Sequence, residues 1–197
     1  MKLDLTGWRT ARRYGVPAAM VSEATRRRQA GDWAGACAAA HVDVLFDLSE
    51  LRNSYGDELA LLLEEDLHHL VPDLVRWHLP RRRMVDDGVL QPSLDVPLAR
   101  YGDGTALWVR TPTHLTRPQW VKLHAGAFEF GPTLADNWVQ TRDLWDDRAT
   151  GGLRHRVYAG DVELTERVMT LEDAGEYGEA WAAAGVPLTY ADPRVQA

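Results

Sequence analysis

The segment "DELALLLEEDLHHL", residues 57–70, carries leucines at 59, 63, 67 and 70, a spacing that gathers them on one face of a helix. Leu62 and Val71 flank that face, Pro72 breaks it, and "PDLVRWHL" predicts one or two more turns before Pro80. Upstream, "VPAAMVSEATRRRQAG" sets Val16, Met20, Val21 and Ala24 at helical spacing. Pro17 suits its first turn, three arginines its last, and Gly31 stands just beyond it. Asp32 predicts the cap of a short helix running through Cys37 to about His41, and "VDVLFDLSELRNSYG" reads as further helix ending near Gly56.

Beyond Pro80 the period shortens. In "LDVPLARYGDGTALWVRTP", Val96 and Leu98 alternate, Gly102-Asp103-Gly104 has turn chemistry, and Leu107 and Val109 alternate again, which predicts a β-hairpin. "QWVKLHAG" predicts a third strand through Val121 and Leu123. "LADNWVQTRDLWDD" reads as helix, "LRHRVYAG" as one more strand, and residues from about 162 to 184 as helix again. The expected class is α+β. A helical region over 1–83 precedes, over 84–197, a small antiparallel sheet (hairpin near 95–110, strand near 119–125) with C-terminal helices, the two packed as one compact unit.

Composition narrows the class. With 197 residues, 45% of them apolar, and eight tryptophans, the chain can bury a core without a disulfide or a metal. Its single cysteine, Cys37, lies in an Ala-rich stretch and reads as a small buried hydrophobe. "MKLDLTGWRTARRYG" lacks the apolar run of a signal peptide and no run of 18 apolar residues occurs, so the expected location is cytoplasmic, with no membrane partner. The net charge of −7 is unevenly spread, since residues 1–28 hold seven basic and two acidic side chains. Such a basic end can meet phosphates, an acidic protein, or its own acidic body.

One local device occurs twice. "AGDWAGACAAAHVDV" at 30–44 is echoed by "AGEYGEAWAAAGVPL" at 174–188. Gly31 and Gly175 can close a helix in the left-handed conformation, while Asp32 and Glu176 place negative charge at the next helix's start. Trp33 and Tyr177 supply a ring to clamp between helices, and the alanines keep the second helix thin. The pattern resembles the turn of the tetratricopeptide repeat, in which Gly-acid-aromatic-x-x-Ala joins two helices. The resemblance covers about a dozen residues per copy and implies helical hairpins that offer a groove to a partner. Repeats of that family follow one another about every 34 residues, whereas these copies are separated by the sheet-forming segment, which argues against a solenoid.

Candidate chemistry is sparse. "TARRYGVPAAMVSEATRRR" has Ala11, Gly15, Val21 and Ala24 at helix-turn-helix spacing, which would turn Ser22, Arg26 and Arg27 toward DNA. Only about seven residues precede it, and Ala-rich helix follows. Glu65-x-x-His68 occurs once, not twice as in di-iron bundles. The wheel turns His68 to water and sets Asp66 and His69 beside the apolar stripe, where they can pair with each other. His41, His114, His124 and His155 show no ligand spacing, no Gly-x-Ser-x-Gly occurs, and Gly102-Asp103-Gly104 precedes a strand instead of a phosphate-holding helix. Trp108 and Trp120 should face away from Leu107, Val109 and Val121, as a sticky patch or under the helix read at "NWVQTRDLW".

The expectation is a non-enzymatic cytoplasmic adaptor with a protein partner, contacted through Trp33, Tyr177, Trp108 and Trp120, and with no cofactor. Two other classes remain open. One is a DNA-binding regulator using Arg12, Arg13, Arg26, Arg27 and Arg28, and the other a metal-dependent hydrolase centred on Glu65, His69 and His78.

Overall fold

The computed structural model describes residues 11–82, 88–102, 104–115, 118–129, 138–150, 167–168, 170–171 and 174–185, apart from the side chain of Arg12. The chain forms two compact units, Met1–Gly151 and Gly152–Ala197.

The first unit opens with a single wide π-helical turn, Ala11–Gly15. Helix α1, Ala18–Gln29, follows Pro17 and buries Met20 and Ala24. Gly31, at φ 76°, closes it, and Asp32 starts α2, Trp33–Ala39, by accepting from the Gly35 amide at 2.8 Å. Here the chain departs from the sequence expectation. Residues 42–44 are not helix but a strand, β1, Val42–Val44. Val-Asp-Val alternates, and His41 takes the left-handed conformation at φ 55°, which stops the helix before a β-branched pair that finds a distant partner. Helix α3, Leu48–Tyr55, starts after Asp47, whose carboxylate accepts from the amides of Ser49 and Glu50. Gly56 separates it from α4, Asp57–His69, and Pro72 begins α5, Pro72–His78.

Strands β2, Asp95–Arg100, and β3, Thr105–Arg110, form the expected hairpin, and β4, Val121–Ala127, pairs antiparallel with β3. Gly102 and Gly104 both have positive φ at its turn. The sheet order is β1-β4-β3-β2, with β1 running parallel to β4, so the sheet is mixed and not purely antiparallel. Alternation gives it two distinct faces. The inner face, Val42, Val121, Leu123, Leu107, Val109, Val96 and Leu98, is almost fully buried. It joins one core with Met20, Cys37, Leu63, Leu67, Val75, Leu79 and Trp145. Burial, with Asp32 nearby, pushes the Cys37 thiol up to about 12, so it stays protonated near neutral pH.

Two further sequence expectations change within this unit. Leu62, read as a flank of the apolar stripe, is exposed, and the buried side of α4 is instead Ala60, Leu63, Asp66 and Leu67. The helix read over "LADNWVQTRDLWDD" is absent from Trp138 onward, where turns and one 3-10 turn, Arg142–Leu144, stand in its place. Trp138 and Trp145 are drawn into the core, and residue 145 hydrogen-bonds the backbone of Val71, which fixes the segment by tertiary contact and not by helical period. The part of that expectation before 138, and the strand read at "LRHRVYAG", lie outside the described residues.

In the second unit, α6, Tyr177–Ala183, follows Gly175 at φ 81°. Among the described residues no helix is long and apolar enough to cross a membrane.

Candidate functional site

The outer face of the sheet follows from register alone. If Val109, Val121 and Leu123 point inward, their neighbours Trp108, Arg110, Trp120, Lys122 and His124 point outward. Pairing then lays these side chains in rows. Asp43, Lys122, Arg110 and Asp95 occupy one row across all four strands, and His124, Trp108 and Pro97 the next. Arg110 is held by Asp95 through two bonds of 2.6 and 2.7 Å, a bidentate clasp. Lys122, by contrast, has no ion-pair or hydrogen-bond partner among the described residues. Trp108 stacks on His124, ring centres 5.1 Å apart and 9° from parallel, and Phe128 tilts against Trp108 at 5.1 Å. Trp120, 37% exposed, leans on His41 with ring centres 4.9 Å apart.

Between these rows and the loop after β3 lies a shallow groove of about 240 Å³. Arg110, Lys122, Trp120 and His114 line it, with Pro112 and Pro118 as apolar walls. Burial first, then Arg76, holds the His41 imidazole below its ordinary value, and burial first, then Arg110, does the same to His124. Both rings are therefore neutral near pH 7. The indole Nε1 of Trp108 and Nε2 of His124 are buried without hydrogen-bond partners among the described residues.

The groove is fixed from below by a buried cation. Arg76 on α5 is 4% exposed and donates to the carbonyl of Gly15 at 2.7 Å and to that of Gln119. Gln119 in turn accepts from the Leu90 amide at 2.8 Å. The residue before Trp120 is thus held from two sides.

A second constellation lies near the C-terminal end of α4. Asp66, buried, accepts from the Tyr101 hydroxyl at 2.7 Å, from Arg148 at 2.7 Å and from Arg142. Asp146, 2% exposed as a side chain, accepts from Arg142 at 2.9 Å and from Arg148 at 2.8 and 3.0 Å. Glu65 reaches Arg148 from the rim at 2.7 Å, and Arg142 lies over the Trp145 ring at 4.4 Å. Glu65, Asp66, Tyr101, Arg142, Asp146 and Arg148, with Leu62 and Arg100, line a cleft of about 480 Å³. Burial pushes the Asp146 carboxyl up, but hydrogen bonds from Arg148 and Arg142 outweigh it and leave it below the usual carboxylate range.

Comparison of the chain with protein-family models, with curated proteins and with solved structures finds no match in any of the three. The side chains themselves must carry the functional reading.

The geometry also bears on the metal alternative. Among the described residues, Glu65, His69 and His78 do not gather as a ligand group; the group whose ligand atoms lie within 4.8 Å of one another is His69, Asp146 and Asp147. Its carboxylates are already engaged, Asp146 by two guanidiniums and Asp147 by His69 at 2.8 Å and by Arg28. Asp66 and His69, which their spacing allows to pair, take separate partners. His78 is half-buried on α5, and burial lowers its affinity for a proton.

The basic N-terminal residues fold onto neighbouring acids. Arg26 and Arg27 clasp Glu23, Arg27 also reaches Asp32 at 2.9 Å, and Arg28 meets Asp147. Arg13 lies over the Tyr14 ring at 5.6 Å, and the Arg12 side chain is outside the described residues.

The four aromatic candidates separate. Trp33 packs against the core, Trp108 is half-buried in its stack, and Trp120 and Tyr177 are exposed. Sequence reasoning missed Arg110, Lys122, His114 and His41 as neighbours of Trp120. The alternation that turned Trp108 and Trp120 outward also turned Arg110 and Lys122 outward, and that signal was available.

Proposed function

We propose that the protein is a non-catalytic interaction protein whose partner protein docks on the outer face of the sheet, centred on Trp120. The single observation that carries this reading is the exposed Trp120 indole beside Lys122, which has no ion-pair partner among the described residues, in a groove whose floor is tied by the Arg76 and Gln119 hydrogen bonds. A large ring presented at low conformational cost, ringed by polar groups, is the composition of an interface centre. The rigid floor supports it further, because a surface already ordered loses little entropy on binding. The corner rings Trp33 and Tyr177 contribute less to the proposal, since Trp33 is spent on packing.

The test is affinity capture from the native host with the wild-type chain and with Trp120→Ala, followed by calorimetric titration of the purified partner against both. A partner that binds wild type and loses affinity by roughly tenfold or more with Trp120→Ala is the expected result. Equal affinities for the two, with the variant's melting temperature unchanged, would refute it.

A further inference from the structure

We propose that the groove between Trp120 and Lys122 receives an extended acidic peptide segment of the partner protein, an apolar side chain lying on the indole and a carboxylate on the lysine ammonium. This assignment rests on the reading of the outer sheet face as the partner surface and adds the partner's chemistry. Charge decides it. Arg110 is spent on Asp95, so the groove presents Lys122 as its cation without a partner among the described residues. Exposed His114 lies on the same groove lining and offers a hydrogen-bond donor to a second carboxylate. Pro112 and Pro118 have no amide hydrogen, so the walls beside Trp120 are apolar and favour a flat aliphatic or proline side chain there.

A nucleic-acid strand fits less well. Its backbone brings one negative charge per nucleotide and needs a track of cations. The cross-strand row here ends in an acid on either side, Asp43 and Asp95, within a chain of net charge −7. Those acids leave room for one or two carboxylates over Lys122 and repel a longer polyanion.

The experiment uses the full chain and fluorescein-labelled, end-capped peptides with a central leucine-proline pair flanked by one glutamate on each side. The same peptides with glutamine or with lysine replacing glutamate, and a labelled single-stranded decathymidylate, complete the set. Fluorescence anisotropy should show the glutamate peptide binding roughly tenfold tighter than the glutamine peptide, with affinity falling as salt rises. Lys122→Glu should abolish that preference and Lys122→Arg should keep it. Equal binding of all three peptides, lost together in Trp120→Ala, overturns the acidic assignment while leaving the Trp120 face as a partner surface. No binding of any peptide at millimolar concentration also overturns the assignment, and the capture experiment above then decides the broader reading separately. Tighter binding of the decathymidylate than of the glutamate peptide overturns it in favour of a nucleic acid. Both substituted side chains are exposed, and a thermal melt of each variant confirms that the fold persists.

Discussion

The hydroxyl of Tyr101, at the end of β2, donates to the buried carboxylate of Asp66 on α4 at 2.7 Å, tying the hairpin to the helix. Burial, with Asp66 beside it, drives the phenol far above its ordinary range. Tyr101→Phe keeps the ring and removes one hydrogen bond to a charged group. The expected loss is about 1.5–3 kcal/mol, read by urea denaturation with an unchanged m-value. The same shift sets an alkaline limit. A group whose folded pKa is raised contributes stability below its unfolded value, near pH 10, that is lost as pH climbs above it. Wild type should therefore lose stability more steeply above pH 10 than Tyr101→Phe.

Arg148 joins Asp66, Asp146 and Glu65 and so bridges α4 to the segment after the 3-10 turn. Arg148→Met preserves most of the length and leaves two buried carboxylates short of a partner. Breaking such a pair costs about 3 kcal/mol, the guanidinium's partial exposure holding the figure at the low end of the range. A double-mutant cycle with Asp66→Asn should show strong coupling, and additive effects would mean that the two side chains act independently.

How far these two relationships could be read beforehand depends on their range along the chain. The β2–β3 hairpin and the outward turn of Trp108 and Trp120 follow from period-two alternation, a local property. Strand β1 does not, because three residues after an Ala-rich helix carry too little period to declare themselves, and their partners Val121, Lys122 and Leu123 lie far downstream. Asp66 was placed beside the leucine stripe but not inside the protein, since what allows its burial is Tyr101, Arg142 and Arg148, none of them near it in sequence. The row linking Asp43, Lys122, Arg110 and Asp95 needs cross-strand register, which a single sequence's hydrophobic period leaves open.

Acid should weaken the protein through Asp146. Its carboxyl is held below the usual range, so it contributes stability above its unfolded value that disappears as pH falls through the folded one. Wild type is expected to lose melting temperature as pH falls below about 4. Asp146→Asn should melt lower than wild type at pH 7 and show a flatter acid limb, and identical limbs would remove Asp146 from the account.

Asp73 has the opposite sign. It is buried at the start of α5, one carboxylate oxygen has no hydrogen-bond partner among the described residues, and burial raises its affinity for a proton. Ionising it costs more in the folded state than in the unfolded chain, and below the unfolded pKa that cost vanishes because both states are neutral. Asp73→Asn is therefore expected to raise the melting temperature at pH 7 and to leave it unchanged near pH 3. A gain of equal size at both values would point to packing instead of charge.

The two corners make the sharpest comparison. In each, the residue after the glycine sends its amide back to a carbonyl five residues earlier, Asp32 to Arg27 at 3.0 Å and Glu176 to Leu171 at 2.9 Å. The glycines share φ values of 76° and 81°, and Ala36 and Ala180 are both fully buried. The backbone device is the same, but the caps differ, since Asp32 accepts from the Gly35 amide and Glu176 makes no such bond. A Cβ added at Gly31 or Gly175 meets nothing within 4 Å, so Gly→Ala at either site costs only the left-handed backbone, about 1–2 kcal/mol. Asp32→Ala should lower the melting temperature, while Glu176→Ala should leave it almost unchanged. Gly35→Ala should resemble Asp32→Ala, because its methyl would collide with the capping carboxylate. Melting curves of the five variants separate conformation from capping. Equal losses for Asp32→Ala and Glu176→Ala would show that the side-chain bond is not what distinguishes the corners.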